Sequence, residues 1–166
     1  MLFRKILHPT DFSDLSQAAL HYAADMAHDH GGRLLILHAV ETLGPENVTY
    51  GDVSRLQPAA YRQRLWDDLH KVKPPRSDIE VEYLLSEQAP AAAIVQVAAE
   101  KAIDLIVMAS HGRTGLRRLL MGSVAEKVLR AAHCPVLVVK TPAAALKAAP
   151  VHETGLHPQI LEEKKD

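Results

Sequence analysis

The sequence predicts one α/β domain, an open, doubly wound, five-stranded parallel sheet in Rossmann-like strand order 3-2-1-4-5 with helices on both faces. Three observations carry this expectation. Short β-rich runs alternate with amphipathic stripes along the chain, in the order βαβαβαβαβ. Two of those runs, RLLILHAV and DLIVM, are almost continuously apolar, as strands covered on both faces must be. Right-handed crossovers then leave few ways to connect five parallel strands.

Each element has its own signal. Phe3–Leu7 is a short β-rich run that closes at Pro9. Leu15, Ala18, Ala19, Tyr22, Ala23, Met26 and Ala27 recur at spacings of three and four, one stripe of a helix. Ser13 supplies its N-cap, Asp14 an acidic first turn and Gly31-Gly32 its stop. Arg33–Val40 reads as a buried strand. Tyr61, Leu65, Leu69 and Val72 mark a second helix that ends at Pro74-Pro75. Ile79, Val81, Tyr83 and Leu85 alternate with polar residues, the pattern of a half-buried strand. Pro90 opens an alanine-rich helix with Ile94, Val95, Ala98, Ala99 and Ala102 on one face. Asp104–Met108 is a buried strand, Val124, Ala125, Val128, Leu129 and Ala132 form the last stripe, and Val136–Lys140 is the last strand. The domain therefore covers 1–140. Residues 141–166, interrupted by Pro142, Pro150 and Pro158 and ending in EEKKD, read as a tail with at most a short helix near Gln159–Lys165.

Composition excludes several classes of function. A net charge of −1 argues against a binder of the nucleic-acid backbone, which would be basic. The longest apolar runs, Ala91–Val95 and Leu105–Ala109, are five residues, far short of the 18 or so a spanning helix needs. The opening MLFRKILHPTD has no apolar signal-peptide core, so a cytoplasmic protein is expected. Cys134 is the single cysteine, which allows no internal disulfide and reads as a buried, inert thiol. Ten histidines do not form a metal-ligand pattern: His28 and His30 do not face each other, and His21 and His28 share a helix face without a third ligand. No metal centre made by the protein alone, and no catalytic residue, is expected.

Ligands of open α/β sheets bind beyond the carboxyl ends of the strands, where strand order reverses. Two strand-to-helix loops stand out. Pro9-Thr10-Asp11-Phe12-Ser13 is crowded with short polar side chains, and ASHGRTGLRRLLMGS, residues 109–123, carries three glycines, three arginines and a Gly-Ser that opens the final helix. Glycines let backbone N–H groups approach an anion, and a helix N-terminus is a ready phosphate site. Asp11 reads either as a strand-end turn former or as a ribose or metal ligand. His8 and His38, at strand ends, read as packing residues. The P-loop, GxGxxG, HxGH and GxSxG signatures are absent, which disfavours an enzyme of similar architecture.

The stretches ILHPTDFS, LLILHAV and DLIVMASHGRTGLRRLLMGSVAEKVLRAAHCPVLVVK resemble the universal stress protein family over residues 3–140. Nucleotide-binding members share Gly, two residues, Gly, nine residues, then Gly with Ser or Thr. Here Gly112, the nine residues Arg113–Met121 and Gly122-Ser123 match, while Ala109 stands where the first glycine would be. One methyl there costs on the order of 1 kcal/mol, about five-fold in affinity. The resemblance implies ATP with Mg²⁺. It places Pro9, Thr10 and Asp11 on the adenosine side and Ala39 and Val40 at the adenine edge. It puts Gly112, Arg113, Gly122, Ser123 and Val124 around the phosphates, with Met108, Ala109 and His111 beside them. It also implies a homodimer paired through Val136, Leu137, Val138 and Val139. The expected function is a regulatory ATP-binding module with little or no hydrolysis, acting on a protein client the sequence does not name. The alternatives are a dimeric interaction protein that binds no nucleotide, which Ala109 favours, and an ATP-cleaving enzyme.

Overall fold

The computed structural model describes residues 2–40, 58–111 and 121–140. Its elements follow in the order β1 (Lys5–Pro9), α1 (Asp14–Asp29), β2 (Arg33–Ala39), α2 (Pro58–Lys71), β3 (Glu80–Ser86), α3 (Pro90–Glu100), β4 (Leu105–Ala109), α4 (Ser123–Ala131) and β5 (Val136–Val139). The five strands form one parallel sheet in the order β3-β2-β1-β4-β5. Strand order reverses at β1, so the carboxyl ends of β1 and β4 lie side by side. Gly112, Arg113, the tail from residue 141 onward and its expected short helix lie outside the described residues.

Alternation along the central strands divides the core between two faces. Ile6, Leu34, Ile36, Leu105 and Val107 pack with α1 and with Leu69 of α2. Their neighbours Leu7, Leu35, Leu37, Ile106 and Met108 pack with α3 and α4. Both faces are thus covered, which is why these strands read as unbroken apolar runs. Among the described residues, no helix is long and apolar enough to cross a membrane.

Helix ends explain where the structure departs from the expected boundaries. Ser13 caps α1 by accepting the Ser16 amide at 3.2 Å. At its other end Gly31 takes φ +57°, and the Gly31 and Gly32 amides donate to the His28 and Ala27 carbonyls. The same closure ends α3 at Glu100. Ala102, which the periodicity places on that helix's apolar face, instead occupies the left-handed position at φ +49°, with its amide on Ala99 and that of Ile103 on Ala98. Strand β1 runs two residues later than expected, because its ladder with β2 pairs Lys5 with Arg33 through to Pro9 with Leu37.

Two helix faces are rotated from the expected stripes. On α1 the buried residues are Ser16, Ala19, Leu20, Ala23, Ala24 and Ala27, while Tyr22 is 55% exposed. Alanines at so many positions satisfy either stripe. Close approach to the sheet then selects the side with the least bulk and leaves the tyrosine outside. On α4, Ala125 and Val128 are buried and Leu129 is exposed.

Candidate functional site

The carboxyl ends of β1 and β4 open into a cleft of about 360 Å³, within the range of small-ligand sites. Pro9, Thr10, Asp11, Ala39, Met108, Ala109, His111, Gly122, Ser123 and Val124 all line it. Val40 follows Ala39 but is not part of the wall, and its amide is taken up by the Ser86 carbonyl at 2.9 Å.

The loop after β1 is held from several sides. The Thr10 amide continues the sheet by donating to the Leu37 carbonyl at 2.8 Å. The Thr10 carbonyl accepts from His38 Nδ1 at 2.7 Å, which assigns the ring proton to that nitrogen. The His38 ring also lies against Phe12, with centroids 4.2 Å apart. Phe12 itself is held at φ +64°, a left-handed conformation unfavourable for a bulky residue and tolerated only where its surroundings fix it. Asp11 Oδ1 accepts from both the amide and the hydroxyl of Ser13, at 3.1 and 2.6 Å. Asp11 is therefore a turn former here, and it is also the only carboxylate on the cleft wall among the described residues.

The opposite wall is the start of α4. Gly122 precedes it with φ −75°, so glycine is not required there for backbone conformation. Space is the requirement, since a Cβ on Gly122 would lie 3.2 Å from the Ser110 carbonyl oxygen. The helix N-terminus brings unpaired amides and a partial positive charge to the cleft. Ser110 Oγ lies 3.1 Å from His111 Nδ1. Ala109 is the last residue of β4, in register with Val139, and its φ is not positive. Its methyl therefore costs nothing in backbone conformation.

Six wall residues were not anticipated: Ser16, Leu37, Pro90, Ile94, Ser110 and Ala125. Pro90 and Ile94 belong to α3, whose start reaches this end of the sheet only because of the crossover from β3. Ser16 carried a signal, standing three residues after the N-cap in a helix turn that faces the loop. Behind the wall sits His8, fully buried. Desolvation lowers its pKa from 6.5 to about 4, against the opposing effects of the Val107 carbonyl and Asp11. Among the described residues, no group of three or more His, Cys, Asp or Glu could hold a metal ion.

Fold and site together define a doubly wound α/β protein with a ligand-sized cleft at its switch point. The chain belongs to the universal stress protein family, whose family model matches residues 2–140. It is 37% identical over 147 residues to a universal stress protein of Methanocaldococcus jannaschii, covering 85% of this chain and 84% of that one. Its fold is similar to that of protein MJ0577 of the same organism, with TM-score 0.73, 27% identity, and coverage of 86% of this chain and 99% of that one. A universal stress protein solved in complex with cAMP is also similar, with TM-score 0.58, 26% identity, and coverage of 86% and 100%.

Proposed function

We propose that the chain is a regulatory adenine-nucleotide-binding module whose ligand is ATP with Mg²⁺. The observation that carries this reading is the cleft itself, in which the β1 loop and the N-terminus of α4 face each other across the switch point. The complex of a family relative with cAMP supports an adenine nucleotide as the class of ligand. In this reading Pro9, Thr10 and Asp11 contact the ribose side, and Ala39 and Val40 the adenine edge. Met108, Ala109 and His111 flank the phosphates, which are held by Gly112, Arg113, Gly122, Ser123 and Val124.

The donor set fits Mg²⁺, which is usually held by one or two carboxylates together with phosphate oxygens and water. Asp11 would supply the carboxylate from the β1 loop, with the hydroxyl of Ser110 just after β4 and that of Ser123 on the facing wall. The ion would neutralise phosphate charge. Among the described residues, the two titratable groups on the wall are already engaged, Asp11 by Ser13 and His111 by Ser110, so neither is poised to activate water. Binding without appreciable hydrolysis follows, and occupancy is the output passed to a protein client.

Ala109 favours a second reading, a family member that acts without nucleotide. Native mass spectrometry of the purified chain, followed by calorimetry with Mg·ATP, separates the two. A co-purified adenine nucleotide or a micromolar-range Kd is expected. A chain that neither carries nor binds one overturns the proposal.

A further inference from the structure

Three buried side chains behind the cleft form one hydrogen-bonded row. Thr10, Ser16 and His8 are 7%, 2% and 0% exposed. Ser16 Oγ lies 2.9 Å from Thr10 Oγ1 and 3.4 Å from His8 Nε2. His8 Nδ1 lies 2.9 Å from the Val107 carbonyl, and the Phe12 amide donates to Thr10 Oγ1 at 3.1 Å.

The proton positions follow from what each atom can do. A carbonyl oxygen only accepts, so His8 Nδ1 carries the ring proton and Nε2 is left as an acceptor. Ser16 has one hydroxyl proton and two candidate acceptors for it, Thr10 Oγ1 at 2.9 Å and His8 Nε2 at 3.4 Å. His8 Nε2 is fully buried and has no other donor among the described residues, so Ser16 gives its proton there and accepts the Thr10 hydroxyl proton at 2.9 Å. Thr10 Oγ1 then accepts from Phe12 N–H, which uses one of its two lone pairs. Among the described residues nothing donates to the other. Thr10 lines the cleft, so that lone pair is offered to whatever the cleft holds.

We propose that Ser16 is a positioning residue of the cleft, which by accepting the Thr10 proton fixes the Thr10 hydroxyl oxygen as an acceptor and so demands a hydrogen-bond donor from the ligand. The inference rests on the nucleotide reading and refines it. Thr10 directly follows the central strand β1, between β2, which carries the adenine edge in this reading, and β4, beside the phosphates. The donor at that point is a ribose hydroxyl. Had Ser16 given its proton to Thr10 instead, His8 Nε2 would be buried without a donor and Thr10 would offer the ligand a proton. A nearly nonselective hydroxyl is thereby given one polarity by a residue that need not touch the ligand.

The test uses the full chain with Mg·ATP, Mg·2′-deoxy-ATP and Mg·3′-deoxy-ATP, measured by calorimetry. The unaltered protein is expected to bind one of the two deoxy analogues about five- to tenfold more weakly than ATP, the worth of one hydrogen bond. Thr10→Val should narrow that ratio by about threefold or more, and Thr10→Ser should restore it. Ser16→Ala, a substitution suited to the helix, should weaken ATP binding severalfold on the native background and have no further effect on Thr10→Val. A merely structural Ser16 would cost the same on both backgrounds, and that result overturns the inference while leaving the nucleotide reading in place. Equal binding of ATP and both deoxy analogues by the unaltered protein does so too. A protein that binds ATP not at all overturns both.

Discussion

The amide of Gly122 donates to the carbonyl of Ser110 at 2.7 Å, joining the N-terminus of α4 directly to the carboxyl end of β4. Both residues line the cleft, and a Cβ on Gly122 would press on the oxygen that receives this bond. Gly122→Val should therefore abolish ATP binding, whereas Gly122→Ala, which needs a shift of only a few tenths of an ångström, should weaken it. Unchanged affinity in Gly122→Val, measured by calorimetry, would place the nucleotide elsewhere. The companion change Ala109→Gly should tighten binding by about five-fold or less, because only a methyl's bulk is removed from a strand residue whose backbone is unstrained.

His8 makes stability depend on pH. Its pKa is about 4 in the folded protein and near 6.5 when exposed, so between those values the unfolded chain binds the additional proton. Stability then falls as pH drops from about 6.5 to about 4, by on the order of 3 kcal/mol in total for this group. Denaturant melts of the native protein and of His8→Asn across that window should show a shallower pH slope in the variant. Parallel slopes would mean that His8 titrates normally.

Ala102 holds a left-handed conformation at the end of α3, where glycine is the usual occupant. Ala102→Gly should raise stability by about 0.5–1 kcal/mol, the relief of the Cβ clash less the added freedom of the unfolded chain. A lower denaturation midpoint in the variant would show that the alanine is not strained.

Hydrolysis of bound ATP should stay well below about 1 s⁻¹, the low end of ordinary enzyme turnover. Phosphoryl transfer needs a positioned water together with charge stabilisation, and the engaged Asp11 and His111 leave that water unactivated. A steady-state phosphate-release rate at or above that value would make the protein an enzyme.

Strand β5 is an edge strand, paired among the described residues with β4 alone. The carbonyls of Pro135 and Val139 accept from Ile106 and Ser110 of the β4 side. Backbone groups alternate along a strand, so Val136 and Val138 turn theirs to the free edge. We predict an isologous dimer through this edge. Val138→Pro should break it while leaving the ladder to β4 intact, since the lost N–H faces outward. Sedimentation should show a dimer for the full chain and for a chain ending at Lys140. A monomeric full chain beside a dimeric truncated one would instead make the tail the cover of that edge.

Much of this is legible in the sequence alone. Capping at Ser13, the stop at Gly31-Gly32, the opening of α3 at Pro90 and the strand order are all local or topological signals. Helix rotation was less legible. Tyr22 read as core because an alanine-rich helix has no unique apolar face, and Ala102 read as helical because a left-handed cap leaves no mark when glycine is absent.

The sequence by itself determined that two polar loops, almost a hundred residues apart, would meet at the switch point, because strand pattern and crossover handedness permit little else. Only the tertiary structure decided what the described loop residues do there. It made Asp11 a turn former as well as a wall residue, gave Gly122 a steric reason rather than a conformational one, and put Ser16 and a neutral His8 behind Thr10. Periodicity reports which side of an element is apolar. A hydroxyl's polarity and a histidine's charge depend on distances of a few ångströms between residues from different elements, and those are settled only when the sheet and helices have packed.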